Sequence, residues 1–176
     1  MTQTIVFGGG CFWCTEAVFQ RLKGVKEVKP GYANCNIENP SYEEVASGQS
    51  GCAEAAHVVY NPEQISLSVL LDVFFSSHDP TTLNRQGHDV GTQYRSGVYY
   101  TSEDQKKEIM DYIHQLERDE VFKNPIVTEV EPLKNYYEAE NYHLNYYNNN
   151  RNAPYCQVVI DPKIKKLKEK FAPLLK

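Results

Sequence analysis

The sequence predicts an α+β domain built on a mixed β-sheet with flanking helices. Three observations carry that reading. Segments of strand character alternate with segments of helical spacing along the whole chain. Short connections, such as the lone Gly24 between a helix and a strand, suggest antiparallel pairing, which a parallel doubly wound sheet does not use. The length, 176 residues, suits one domain with a sizeable core, and no internal repeat or linker divides it.

Each element follows from local signals. Thr4 to Gly8 is a short apolar strand. A helix is expected from Cys11 to Lys23, with Gly24 as its C-terminal cap, followed by a strand from Val25 to Tyr32. Ala33 to Pro40 is polar and turn-rich, a surface loop. Ser41 and Glu44 have capping-box spacing and open a short helix. Ala53 to Tyr60 is a third strand. Leu67, Leu70, Leu71 and Phe74 have helical spacing within Ser66 to Ser77, and this helix stops near Asp79-Pro80. Thr81 to Gln93 is a loop of a length that is often functional. Arg95 to Tyr100 reads as a strand, Ser102 caps a charged amphipathic helix to about Glu120, and Ile126 to Glu131 is a strand. The chain then reads as a helix from Tyr137 to Tyr147, a strand from Tyr155 to Ile160 and a basic surface helix from Pro162 to Phe171.

Composition excludes several classes. A formal net charge of −5 and a pI of about 5.6 argue against a general nucleic-acid binder. Tyrosines crowd the stretch from Tyr136 to Tyr155, but no basic stripe accompanies them, so they read as packing and not as a base-stacking surface. Neither a signal peptide nor a membrane span is expected. The five cysteines are an odd number and do not resemble a secreted disulfide framework; they point to working thiols in the cytoplasm.

The chemistry centres on Gly8-Gly9-Gly10-Cys11-Phe12-Trp13-Cys14. Glycines let the backbone turn sharply into a helix, so Cys11 sits at a helix N-terminus, where free N–H groups and the dipole favour a thiolate. Phe12 and Trp13, the only tryptophan, supply an apolar pocket beside it. The triple glycine is not a phosphate loop, because no Gly-Lys-Ser/Thr follows. Cys11 and Cys14, three apart on a helix, have Cα atoms about 5 Å apart, within disulfide range. Half a zinc site is the competing reading of this Cys-x-x-Cys, but Cys35, Cys52 and Cys156 are spaced too irregularly to complete it. Glu54 lies among alanines and a cysteine; if buried, its pKa rises and it becomes a proton donor near neutral pH, whereas on an edge strand it is only a surface acid. Asp89 and Tyr94 lie in the dense polar loop Gln86 to Ser96, as orienters or as parts of an ordinary turn. His78 and His88 are candidate bases, although a loop histidine is more often polar surface.

Together these blocks resemble the peptide methionine sulfoxide reductase A family over nearly the whole chain. The resemblance rests on Gly10-Cys11-Phe12-Trp13, Gly31-Tyr32, Pro40-Ser41-Tyr42, Ala53-Glu54-Ala55, His78-Asp79-Pro80, Gln86-Gly87 and Gly91 through Ser96. It implies a ferredoxin-like two-layer core, a mixed sheet with flanking helices and a C-terminal extension, forming a single catalytic domain over residues 1–176. Residue by residue, it implies that Cys11 attacks the sulfoxide sulfur, that Phe12 and Trp13 hold the methyl group, and that Glu54 gives a proton to the sulfoxide oxygen. Tyr42 and Tyr94 match the hydroxyls that hydrogen-bond that oxygen, and Asp89 matches a supporting carboxylate. The S epimer is the implied substrate, free or within oxidised proteins, because each epimer has its own enzyme class. No metal or other cofactor is expected; thioredoxin, or dithiothreitol in the test tube, serves as reductant. The chain is expected to act as a cytoplasmic monomer without nucleic-acid or membrane partners.

The chemistry agrees with that resemblance. A thiolate attacks a sulfoxide only if the oxygen is protonated or strongly hydrogen-bonded as charge develops on it. Loss of methionine leaves a sulfenic acid, which condenses with a nearby thiol to a disulfide. Cys14 is the first candidate for that second thiol, although many family members have glycine there and use cysteines near the C-terminus. Cys156 falls where such a cysteine occurs, but in an apolar strand, where a cysteine is usually packed and inert. Cys52, at a position where histidine is usual, is a third candidate, and Cys35 reads as an exposed loop thiol. Two other classes compete: an acyl-transferring cysteine enzyme using His78 or His88, and a zinc-stabilised binding module.

Overall fold

A computed structural model describes residues 1–176. Six strands form one mixed sheet: β1 (Gln3–Gly8), β2 (Val25–Ala33), β3 (Ala53–Tyr60), β6 (Gly97–Tyr100), β7 (Glu129–Pro132) and β8 (Tyr136–Glu138). Their spatial order is β7-β6-β1-β3-β2-β8, and all pairs are antiparallel except β6 with β7. The helices are α1 (Phe12–Phe19), α2 (Tyr42–Ala46), α3 (Leu67–Ser77), α4 (Glu103–Arg118), α5 (Tyr146–Asn149) and α6 (Asp161–Phe171). The run β1-α1-β2-β3-α3-β6, with the order β6-β1-β3-β2, is the expected ferredoxin-like core.

Period-two alternation sorts the sheet's two faces. Ile5 and Phe7 of β1 join Ala56 and Val58 of β3 under α1, α3 and α6, where Phe7 lies between Phe19 at 4.7 Å and Phe74 at 4.8 Å. Val6, Ala53 and Ala55 point the other way, against Tyr99. Ser41 closes a full capping box with Glu44, and Ser66 and Ser102 cap α3 and α4, as their spacing predicts.

Four expectations are corrected. Helix α1 ends at Phe19, not Lys23: Leu22 bridges to Leu175, and Lys23 N–H donates to the Leu174 carbonyl, so the C-terminal extension captures the chain early. Gly24 therefore makes a separate turn, at φ +91°. The loop Thr81 to Gln93 folds into a small hairpin, β4 (Arg85–Gln86) with β5 (Asp89–Val90), and a 3-10 turn from Thr92 to Tyr94. The expected helix from Tyr137 to Tyr147 is instead strand β8, a 3-10 turn (Asn141–His143) and the single turn α5. Here Tyr136 lays its ring over Gly31, where a Cβ would meet it at 2.4 Å, and donates its hydroxyl to the Lys29 carbonyl. The expected strand Tyr155 to Ile160 is helical, a π-type turn from Cys156 to Ile160 that runs into α6. Cys156, Ile160, Ile164 and Leu167 are all buried on one side of that continuous helix, while Val158 is 73% exposed.

Candidate active site

The glycine turn places Cys11 as the N-cap of α1, where its backbone is extended and the Cys14 N–H donates to its carbonyl. Gly10 makes this turn at φ +82°; an added Cβ would lie 2.8 Å from the Gln86 side chain. The Gly10 N–H donates to the Tyr94 carbonyl at 3.2 Å. Gln86 holds both the amide and the carbonyl of Asp79, so the hairpin and the His78-Asp79-Pro80 turn brace the cysteine turn from one side.

Glu54 is 1% exposed, and its Oε1 accepts the Phe12 N–H at 3.3 Å. Burial is the main reason its carboxyl is pushed up to about 8; the Phe12 hydrogen bond opposes this and Asp89 adds to it. The carboxyl is therefore protonated at neutral pH, as the buried alternative requires. Burial also raises both nearby phenols, Tyr42 to about 12 and Tyr94 further, with Glu54 the next contributor in each case. The helix terminus favours a thiolate at Cys11, and its other surroundings oppose that. Burial, then Glu54 and Cys14, push its thiol well above the ordinary range, against a smaller downward pull from the Trp13 backbone. Desolvation in this dry setting outweighs the helix terminus.

Phe12 is buried with Tyr32 and Val45, and Trp13 stacks on Tyr146 at 3.7 Å. The Trp13 indole donates to His143 Nδ1 at 3.0 Å. His143 is buried against Phe12 and Tyr42, and its Nε2 has no partner. Glu140 accepts from the Tyr32 hydroxyl at 2.7 Å and the Tyr42 N–H at 2.9 Å, which fixes the start of α2. The Tyr155 hydroxyl donates to Asp89 Oδ2 at 2.8 Å and lies 3.9 Å from Cys14 Sγ. Thus Tyr32, Glu140, His143, Tyr146 and Tyr155 belong to this site although none was singled out from the sequence as a site residue. The density of tyrosine after Tyr136 is the sequence signal for them.

The remaining candidates separate clearly. His78 is locked between the Phe74 carbonyl and Ser96 Oγ, at 2.6 and 2.7 Å, and burial lowers it to about 4, so it is a neutral strut and not a base for Cys11. His88 is exposed on the hairpin. Cys35 and Cys52, expected as separate thiols, are joined in a disulfide that ties the loop before α2 to the start of β3. Neither is free, so Cys52 drops out as a thiol and Cys35 is not an exposed one. Arg95 secures the same corner by donating to the carbonyls of Gly51 and Cys52. Cys14 and Cys156 are free and buried, Cys156 completely. No group of three or more His, Cys, Asp or Glu is arranged to hold a metal ion, and no helix is long and apolar enough to cross a membrane.

A family model described as peptide methionine sulfoxide reductase matches residues 3–174. A peptide methionine sulfoxide reductase MsrA of Trichodesmium erythraeum is 54% identical over 171 residues, 97% of each chain. Among solved structures, reduced Mxr1 of Saccharomyces cerevisiae superposes with a TM-score of 0.80 at 38% identity, covering 88% of this chain and 89% of that one. Mxr1 in complex with Trx2 gives 0.56 at 29% identity, covering 82% and 84%.

Proposed function

The chain belongs to the peptide methionine sulfoxide reductase A family, and from that premise we propose that Cys11 is the nucleophile that reduces the S epimer of methionine sulfoxide. The observation that carries this assignment is the meeting of a partly accessible thiol with a carboxyl that stays protonated near neutral pH. The Glu54 proton, assisted by the Tyr42 and Tyr94 hydroxyls, goes to the sulfoxide oxygen as the Cys11 sulfur attacks. In the same step the Cys11 thiol gives its own proton to the Glu54 carboxylate, so that in net one proton passes from thiol to sulfoxide oxygen and the acid is restored. Phe12 and Trp13 grip the methyl group, and Trp13 is held for this by Tyr146 and His143. Asp89 acts through Tyr155, whose hydroxyl it fixes.

Methionine leaves Cys11 as a sulfenic acid. Cys14 then closes a disulfide with it; Cys156, wholly buried in the helix before α6, is the lesser candidate. The yeast relative's complex with Trx2 supports thioredoxin as the reductant. A single catalytic domain over residues 1–176, acting as a monomer in the cytoplasm, completes this reading. Free methionine sulfoxide and oxidised proteins are both proposed as substrates.

The test is to incubate the protein with each epimer separately, with dithiothreitol, and to measure methionine. Turnover of the S epimer alone is expected, with complete loss in Cys11→Ser. Turnover of the R epimer, or activity surviving in Cys11→Ser, overturns the assignment.

A further inference from the structure

Cys14 is enclosed by groups that the reduction of the sulfoxide does not use. A cavity of about 10 Å³, near the minimum for one water molecule, is lined by Cys14, Gly9, Phe74, Ser77, His78 and Lys163 among others. Lys163 reaches it from the first turn of α6 and has no carboxylate partner within salt-bridge distance. It also lines a second cavity of about 590 Å³, whose walls include Lys166 and Lys123. On another side, Tyr155 Oη lies 3.9 Å from Cys14 Sγ and donates to Asp89.

We propose that Lys163 is a positioning residue for the second step, steadying the Cys14 sulfur as an anion while it attacks oxidised Cys11. This rests on the reading that Cys14 resolves the sulfenic acid. In that step the Cys14–Cys11 S–S bond forms and the Cys11 S–O bond breaks. Cys14 is oxidised and the sulfenic sulfur is reduced. The hydroxyl leaves as water with the equivalent of the proton given up by Cys14. Tyr155 offers that proton a path, by accepting it from the thiol while passing its own to Asp89. The ionisable groups facing Cys14 are Cys11 on its own helix, Lys163 on α6, Tyr155 and Cys156 before α6, Asp89 on the hairpin and neutral His78 after α3. Burial raises the Cys14 thiol; Lys163 is the largest influence against that, followed by Tyr155. Lys163 is thus the one cation in the set.

Single-turnover chemistry separates the steps. Reduced protein is mixed with one equivalent of the S epimer without reductant, quenched at intervals, and both methionine and remaining thiols are counted. In Lys163→Gln, methionine should appear at the wild-type rate, which also reports an intact fold. Disulfide closure should slow about tenfold at neutral pH and its pH profile should move upward. Lys163→Arg should restore the rate, and Lys166→Gln, in the larger cavity only, should behave as wild type. Closure in Lys163→Gln with wild-type rate and pH profile overturns the proposal. Cys14→Ser keeps the two readings apart. If it still closes a disulfide, the assignment of Cys14 fails and this inference with it; if it does not, an indifferent Lys163→Gln removes the role of Lys163 alone.

Discussion

Cys11 and Cys14 stand one helical turn apart, yet their surroundings are opposite. On the Cys11 side, β3, α2 and the 3-10 turn after the hairpin bring a protonated carboxyl and two phenols, with no cation aimed at the sulfur. On the Cys14 side, α6 brings a lysine, and the segment before it brings Tyr155. The difference matches the chemistry of two successive steps. Breaking an S–O bond in the substrate needs a proton delivered to oxygen, whereas closing the disulfide needs a sulfur anion. One helix start serves both because its two sides are packed against different parts of the chain.

The largest test of this contrast is Glu54→Gln, which removes the acid but keeps the shape. The methionine-forming step should slow by roughly 10²–10³-fold, the range for a lost general acid or a lost donor to a developing oxyanion. The sign of the pH dependence follows from the raised carboxyl. The donor form is present below about 8 and is lost as pH rises through that value. Wild-type single-turnover rates should therefore fall on the alkaline side, and the variant should lose that limb. A variant with the wild-type rate and limb would place the proton donor elsewhere.

Regions of the chain also differ in how well they can be read from sequence. The Cys11 side is made of short motifs, a glycine turn, a capping box and an acid among alanines, each with a local physical meaning. The cysteine bond and the segments after β7, by contrast, depend on long-range packing. Tyr136, Tyr137 and Glu138 are a strand because Gly31 leaves room for a ring and β2 offers a free edge, neither of which is written in those three residues. In Cys156-Gln157-Val158-Val159-Ile160 the β-branched residues suggested a strand, but Val158 faces solvent. The spacing of Cys156, Ile160, Ile164 and Leu167 is helical and was the stronger signal once extended into α6. The Cys35–Cys52 bond was missed because two cysteines 17 residues apart carry no pairing information of their own.

That disulfide supports the Cys11 side alone, since α2 and Tyr42 lie inside the loop it closes. Replacing both cysteines, Cys35→Ala with Cys52→Ala, should cost about 3 kcal/mol in urea unfolding, as the chain-entropy relation gives for a loop of this size. The methionine-forming rate should fall with it, through a less fixed Tyr42, while disulfide closure at Cys14 should stay at the wild-type rate. Equal stability with and without the bond would mean that Glu140 and Arg95 already hold this corner.

The Cys14 side has a smaller support of its own. Glu16 is buried on α1, and its Oε2 accepts the N–H of Asn145, which sits in the left-handed region at the entry to α5. Burial raises this carboxyl from 4.5 to about 7 against the pull of that hydrogen bond. The sign follows: a carboxyl raised on folding binds its proton more tightly in the native state. Its stabilising contribution is complete below about 4.5 and is lost as pH rises through about 7. Glu16→Gln keeps an acceptor for Asn145 and removes the charge. Between pH 5 and pH 8 the wild type should lose roughly 2–4 °C of Tm relative to the variant, after allowance for solvent screening. The rate of disulfide closure should follow the same trend, because the segment anchored at Asn145 leads to Tyr155. Parallel Tm curves for the two proteins would show that the charged carboxylate is accommodated, and that the 145–155 segment is held by the Trp13–Tyr146 stack instead.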